Sequence, residues 1–263
     1  MRASKVVSSW DARAAAYDAL TRRWPIFREM ALRLAGELPP GFEGKVIDLA
    51  GGAGLLSKTL LELRPAARVV CAEPAPAMRR LARKRLGSRA QVRAAGGEEA
   101  DRLGRGFSAV LCSAAFHLME PRAALASVGR ALKPGGLFAF NLWWHAYAPT
   151  AKERWEDWWL EPASRALREA GVELPRWELP VVPRYAPAEL ERLAARAGLS
   201  LRRIALDRAE TDGALAVDFM AMSPNWPAPG LGAARARVIA RARALAQGPR
   251  TAVTVRVRLA KPA

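Results

Sequence analysis

The residues best suited to chemistry flank a glycine-rich turn. Val46-Ile47-Asp48-Leu49 is a short, apolar, β-capable run carrying a carboxylate, and Ala50-Gly51-Gly52-Ala53-Gly54 follows at once. The Leu-rich segment from Leu55 to Leu61 then has helical spacing. Strand, tight turn and helix in that order form a nucleotide cradle. Glycines let the backbone approach a ligand closely, and the helix start points its free N–H groups and positive dipole end at the loop. Two ligand chemistries compete for it. The G-x-G-x-x-G pattern that holds pyrophosphate needs a third glycine, and Ser57 stands there. The acid-x-x-x-G-x-G pattern is filled by Asp48, Gly52 and Gly54. A carboxylate at that point is unhelpful to pyrophosphate and helpful to a cation. Glu73 ends a second apolar run, Arg68 to Ala72. It lies about 20 residues past the glycines, where a carboxylate accepts bonds from two ribose hydroxyls of any adenosine ligand.

The chain has two histidines, His117 and His145, each placed just after a strand-like run. Both are therefore expected at the ligand edge of a parallel sheet, as candidate general bases, with His117 the better placed for a hydroxyl acceptor. Ordinary structural histidines are the competing reading. Tyr17, Trp143, Trp144 and Tyr147 are candidate pocket walls, with core packing as their alternative.

These residues need positioning elements, and the order of those elements is informative. Residues 8–36 read as two helices broken near Trp24-Pro25. Strand-like runs follow at 45–49, 68–73, 90–95, 107–113, 137–144, 199–205 and 251–259, with helical patterns between them. Leu132-Lys133-Pro134-Gly135-Gly136 is a helix stop and turn.

In this frame Asp48, Gly52 and Gly54 resemble motif I of the class I S-adenosylmethionine-dependent methyltransferases. One departure is Ala50 in place of the first glycine; a small residue is expected to fit there with little loss. The Lys-Pro-Gly-Gly turn resembles the one before strand five of that family, and Ala197-Gly198-Leu199 the end of its last helix before strand six. Ala114 to Met119 resembles the segment after strand four in ubiquinone-type and related natural-product enzymes, the type 11/25 small-molecule branch. It is neither the Asn-Pro-Pro-Tyr loop of amino-group methylases nor the Pro-Cys nucleophile of cytosine C5 methylases. At the start of strand four the usual Asp is replaced by Ser108.

The resemblance implies an α/β, Rossmann-like sheet of seven strands in order 3-2-1-4-5-7-6, the last antiparallel, with helices on both faces. It implies S-adenosyl-L-methionine as cofactor and S-adenosyl-L-homocysteine as product. Trp10 to Asp18 resembles the N-terminal helix that caps the cofactor, which would lay Tyr17 over its methionine end. The implied cofactor set is Tyr17, Asp48, Ala50, Gly51, Gly52, Gly54, Glu73, Pro74, Met78, Gly97, Glu98 and Ser113. Met78 could equally be core. Glu98 or Glu99 would bond the adenine amino group, with exposed helix-start acids as the rival explanation.

A chain of 263 residues suits a single methyltransferase domain. Its expected parts are a helical cap at 1–40, a cofactor-binding core at 41–144, a tryptophan-rich lid insertion at 145–185, and a C-terminal part at 186–263 that completes the sheet. No run of about 18 apolar residues exists, and the N-terminus lacks the apolar core of a signal peptide. Cys71 and Cys112, the two cysteines, sit in apolar runs, as free thiols of a reducing cytoplasm do. No Cys/His cluster has metal-ligand spacing. The net charge of +17 would suit a nucleic-acid partner. However, its arginines are scattered around helices such as 235–243, and the aromatic–basic interleaving of RNA modules is absent. The expected function is methyl transfer to a hydroxyl, amine or carbon of a small aromatic or natural-product acceptor, by a monomer or homodimer. A tRNA or rRNA methyltransferase, or a cofactor-binding protein without transfer activity, are the alternatives.

Overall fold

A computed structural model describes residues 2–143, 155–176 and 186–263. Its strands are β1 (Lys45–Leu49), β2 (Arg68–Ala72), β3 (Ala90–Arg93), β4 (Phe107–Ser113), β5 (Leu132–Trp143), β6 (Ser200–Asp212) and β7 (Pro249–Ala260). They form one sheet in the order β3-β2-β1-β4-β5-β7-β6. The pairings from β3 to β5 are parallel, and β7 runs antiparallel to both of its neighbours, β5 and β6. This is the order that the resemblance implied. The central strands are apolar on both sides, and Val46, Ile47, Ala109, Val110 and Leu111 are fully buried, as strands covered on two faces must be.

The helices are α1 (Arg2–Arg23), α2 (Pro25–Ala35), α3 (Leu55–Leu63), α4 (Pro76–Leu86), α5 (Pro121–Ala131), α6 (Leu160–Glu169), α7 (Pro187–Arg196), α8 (Ala214–Met220) and α9 (Arg235–Ala246). Four of them, α2, α4, α5 and α7, open on proline, whose fixed φ suits the first turn and whose missing N–H costs nothing there. One face of the sheet is covered by α2, α3 and α4, through Leu34, Leu60 and Leu86 packed with Val46, Val69 and Leu111. The other is covered by α5 and α7, through Leu125, Val128 and Leu190 packed with Ile47, Val110 and Phe138.

Two elements differ from the sequence reading. The turn at Leu132–Gly136 does stop α5, but it is then drawn into the sheet. Leu132 pairs with Phe107, and the Lys261 N–H donates to the Gly136 carbonyl at 2.8 Å. Second, β6 continues to Asp212 rather than ending near Ala205, because β7 supplies it with partners as far as Pro249. β5 is described as far as Trp143, opposite Thr254, and beyond that point β6 and β7 pair with each other as a two-stranded arm reaching Asp212 and Pro249.

The helices between β6 and β7 belong to neither of the cores on the two sheet faces. They join α6 in a further core, where Trp159, Leu167, Leu215, Trp226 and Val238 meet Leu20, Phe27 and Met30 of α1 and α2. The arm's Ala209 and Ala252 belong to the same core. Part of the excess arginine is spent beside it. Glu37, with its side chain 1% exposed, pairs with Arg203, Arg256 and Arg258, and Asp207 pairs with Arg33 and Arg256.

Candidate active site

A cavity of about 670 Å³ opens at the carboxyl ends of β1, β2 and β4, beneath α1. Ligand sites of this size are common at that edge of an α/β sheet.

Its floor is the tip of β1. Asp48 lies in the wall but is only 1% exposed. Its Oδ2 accepts from the Ser57 N–H at 2.9 Å and from Ser57 Oγ at 2.6 Å. Its Oδ1 is buried with no partner. Burial pushes this carboxyl up from 3.8 to about 7, with the Ser57 bonds opposing the rise and the Glu73 charge adding to it. Ser57, the residue that spoils the pyrophosphate pattern, therefore has work of its own: it locks Asp48 to the start of α3.

The loop is bare for steric reasons. A Cβ on Gly51 would lie 2.6 Å from Cys71 Sγ and 2.9 Å from Asp48 Oδ2. Gly52 and Gly54 take φ of 54° and 82°, and Ala50 takes 54° as well. That corrects the expectation of little loss at Ala50, since left-handed backbone costs a residue with a Cβ roughly 1–2 kcal/mol.

At the tip of β2, Glu73 is 6% exposed. Its Oε2 accepts from the Gly52 N–H at 2.9 Å and its Oε1 from the Ala75 N–H at 2.8 Å. Desolvation raises its pKa while those two bonds hold it down. Each oxygen keeps a lone pair for a further donor. Pro74 and Met78 lie beside it on the wall, and Met78 is also packed with Ala14, Ala53 and Ala75, as a core residue is.

The roof is α1, held at two points. Asp11 Oδ1 accepts from the Ala77 N–H at 2.5 Å, capping α4 from outside. Asp18 pairs with Arg85, whose Nη1 also donates to the Ala53 carbonyl at 2.7 Å. One guanidinium thus ties α1, α4 and the glycine loop together. Tyr17 faces the loop, its ring 3.8 Å from where a Gly52 Cβ would lie. It stands edge-on between Trp10 at 5.2 Å and Phe27 at 6.1 Å. Burial and the nearby Glu73 push its phenol up to about 12, so it is a donor and not a base at neutral pH.

The far wall carries Gly96–Glu99 and Ser113–Ala115, with Leu118, Met119 and Glu120. Met119 lies directly on the Gly97 backbone, where a Cβ would come 2.2 Å from its sulfur. Glu98 Oε1 accepts from the Glu120 N–H at 2.8 Å, and Glu99 Oε2 from the Gly96 N–H at 2.9 Å. Both are helix-start acids, and both line the cavity. Ser113 Oγ and the Ala114 N–H donate to Asn141 Oδ1 at 3.2 and 2.8 Å, and Asn141 Nδ2 donates to the Met30 carbonyl at 3.2 Å.

His117 sits half-buried in the single turn Phe116–Leu118 and is not among the wall residues, although its neighbours Leu118 to Glu120 are. Trp143 packs edge-on against Phe27 at 5.9 Å and is likewise off the wall. His145, Trp144 and Tyr147 lie outside the described residues. Sequence reasoning missed Trp10, Phe27, Arg85 and Met119 on the wall, and Ser57 and Asn141 as positioning residues. For Asn141 a signal existed: a lone amide in the apolar run Leu137 to Leu142 must be hydrogen-bonded somewhere. Among the described residues no cluster of His, Cys, Asp and Glu could hold a metal.

Residues 46–136 match the family model of a methyltransferase domain, Methyltransf_25. No curated protein matches the sequence. Among solved structures, the fold is similar to a chain in the complex of the Haloferax volcanii Trm112 methyltransferase activator with a candidate methyltransferase. The identity is 18%, covering 97% of this chain and 98% of that one, with a TM-score of 0.56. A candidate sarcosine dimethylglycine methyltransferase from Galdieria sulphuraria is 14% identical over 89% of this chain and 84% of its own, with a TM-score of 0.52. Residues 46–136 thus match a methyltransferase domain, a domain whose cofactor is S-adenosylmethionine, and the strand order is that of the class I methyltransferase fold. The matched model falls in the type 25 branch that the segment after β4 pointed to.

Proposed function

We propose that this chain transfers the methyl group of S-adenosylmethionine to a hydroxyl, amine or carbon of a small molecule, in the manner of natural-product methyltransferases. The observation that carries this reading is Asp48: a buried carboxylate on the cavity floor with one oxygen unpartnered suits a cationic ligand and opposes an anionic one. When bound, the cofactor supplies an electrophilic methyl on a sulfonium, and displacement at that carbon needs position more than acid–base power. Asp48 and Tyr17 would hold the charged methionine end, Glu73 the ribose, and Pro74, Met78, Gly97 and Glu98 the adenine. The bare backbone at Gly51 admits the ligand closely, while Ser113 shapes the wall toward the acceptor. His117 receives no support from the geometry as a base. Two buried free cysteines accord with a cytoplasmic setting, and no described helix is long and apolar enough to cross a membrane.

Calorimetric titration tests this. Micromolar binding of S-adenosylhomocysteine with no binding of NAD is expected; NAD alone, or neither, would overturn it. A tRNA or rRNA substrate is the second reading, favoured by one feature. Arg80, Arg83 and Lys84 form an exposed stripe on α4, a helix without carboxylates. Steeply salt-dependent RNA binding would support it.

A further inference from the structure

The cavity inverts the sign of the protein that contains it. The chain carries a net charge of +17. Yet the described wall residues include five carboxyl groups, Asp48, Glu73, Glu98, Glu99 and Glu120, and one guanidinium, Arg85. That cation is spent, since Arg85 pairs with Asp18 and bonds the Ala53 carbonyl. No other Lys, Arg or His among the described residues reaches the wall. Opposite the carboxylates, the α1 and α2 side presents three aromatic rings in an edge-on series, Trp10, Tyr17 and Phe27. Aromatic faces attract cations by their quadrupole, more strongly once water is excluded. The Tyr17 phenol stays protonated and adds no negative charge of its own at neutral pH.

The cofactor reading above assigns Asp48, Glu73 and Glu98 to a ligand, and this inference rests on it. Tyr17 is assigned to that ligand as well, and the wall left over includes Trp10, Phe27, Leu118, Met119 and two carboxylates turned to local work. Glu99 is paired with Arg102, and Glu120 caps α5 through the Arg122 and Ala123 N–H groups. Such a wall offers an acceptor apolar and π-face contact inside a negative field. Among the described residues it offers an anion no free side-chain cation to pair with, and desolvating an unpaired carboxylate or phosphate is costly.

We propose that the methyl acceptor is a small apolar amine, taken up beside the Trp10 and Phe27 rings, and that acceptors bearing a carboxylate or phosphate are rejected. The amine arrives as an ammonium and gives its proton to water before reacting. The nitrogen lone pair then forms the N–C bond as the C–S bond breaks. The sulfur keeps that bonding pair and becomes a neutral thioether, and the positive charge passes to nitrogen. A primary or secondary amine sheds a second proton to water to finish neutral; a tertiary amine stays quaternary.

The test uses the full chain saturated with S-adenosylhomocysteine, whose binding is measured first. Absence of that binding would sink the cofactor reading and is seen separately. Phenethylamine and 3-phenylpropionate, alike in ring and linker and opposite in charge, are then titrated into the loaded protein. The amine is expected to bind roughly ten-fold tighter or better, the range that a desolvated cation–π contact supplies. Trp10→Leu should weaken the amine several-fold and leave S-adenosylhomocysteine binding within about two-fold. Equal or tighter binding of the carboxylate, binding of neither probe, or an amine indifferent to Trp10→Leu overturns the proposal. If Trp10→Leu does not fold, the comparison of the two probes on the natural chain decides alone.

Discussion

Ala50 and Ala114 share one unusual backbone conformation, φ 54° and 52°, at the tips of the neighbouring strands β1 and β4. Both lie on the cavity wall. Left-handed alanine is strained, and strain of this kind persists where the surroundings over-determine it, commonly at ligand sites. Each tip is held from behind: Gly51 N–H donates to the Ala72 carbonyl at 3.0 Å, and Ala114 N–H to Asn141 Oδ1 at 2.8 Å. Ala50→Gly should therefore stabilise the protein by roughly 0.5–1 kcal/mol, relief of strain outweighing the greater freedom of glycine when unfolded. Urea midpoints measure this, and a loss of stability would show that Ala50 is not strained.

Asp48 carries a pH signature. Its pKa rises from 3.8 to about 7 in the folded protein, so between those values the native state keeps a proton that the unfolded chain has shed. Stability from this group is therefore present at low pH, falls as pH climbs toward 7, and is flat above. Asp48→Asn should remove that fall, read as the difference between the two proteins' urea midpoints across pH 4 to 8, roughly the span between the two pKa values. Paired differences matter because Glu73, also raised, slopes the same way, whereas Asp101 and Glu169, both lowered, slope the other.

The same substitution should weaken S-adenosylmethionine binding at least about ten-fold at pH 8, where the carboxylate is ionised. S-adenosylhomocysteine, lacking the sulfonium charge, should lose less. Equal affinity of natural and variant proteins for S-adenosylmethionine would remove Asp48 from the cofactor site.

Arg85→Met cuts the tie between α1, α4 and the loop. Asp18 keeps Arg22, so the loss should stay at roughly 1–3 kcal/mol rather than the larger cost of a stranded buried charge. Hydrogen exchange should quicken in α1 before it does in the sheet. Uniform quickening would mean that α1 is held by its apolar contacts alone.

His117→Gln should leave turnover within about three-fold, since general bases contribute on the order of a hundred-fold or more and this imidazole is off the wall. A hundred-fold drop, with S-adenosylhomocysteine binding unchanged, would restore the histidine as a base.

What was legible in the sequence was whatever is made locally. Asp48, the glycines and Glu73 occupy a strand tip and the turn after it, so spacing alone put them at one edge, and Tyr17 rode in on a helix with a recognisable phrase. Arg85 and Met119 were illegible because nothing local marks them. Arg85 continues a basic helix in which Arg83 and Lys84 face solvent, and only packing with α1 turns it inward. Met119 follows a turn and gains its place from the bare backbone of Gly97, 22 residues earlier in the chain. Ser57 looked like a defect in a glycine pattern until its hydroxyl met Asp48. The length of β6 escaped for a related reason: its far half is polar and only partly buried, and it is a strand because β7 lies beside it.

That neighbour has a consequence for the order of assembly. β7 follows every other strand in the chain, yet it lies between β5 and β6. During synthesis β6 therefore emerges with no edge to join, and it waits there with α8 and α9 until residues 249–260 arrive. Until then β5 is a bare sheet edge presenting the unpaired backbone N–H and C=O groups of Leu137 to Trp143, the kind of surface on which growing chains pair with one another. Chaperone dependence and misassembly of this protein should trace to that interval more than to the cofactor loop, which is complete by residue 73.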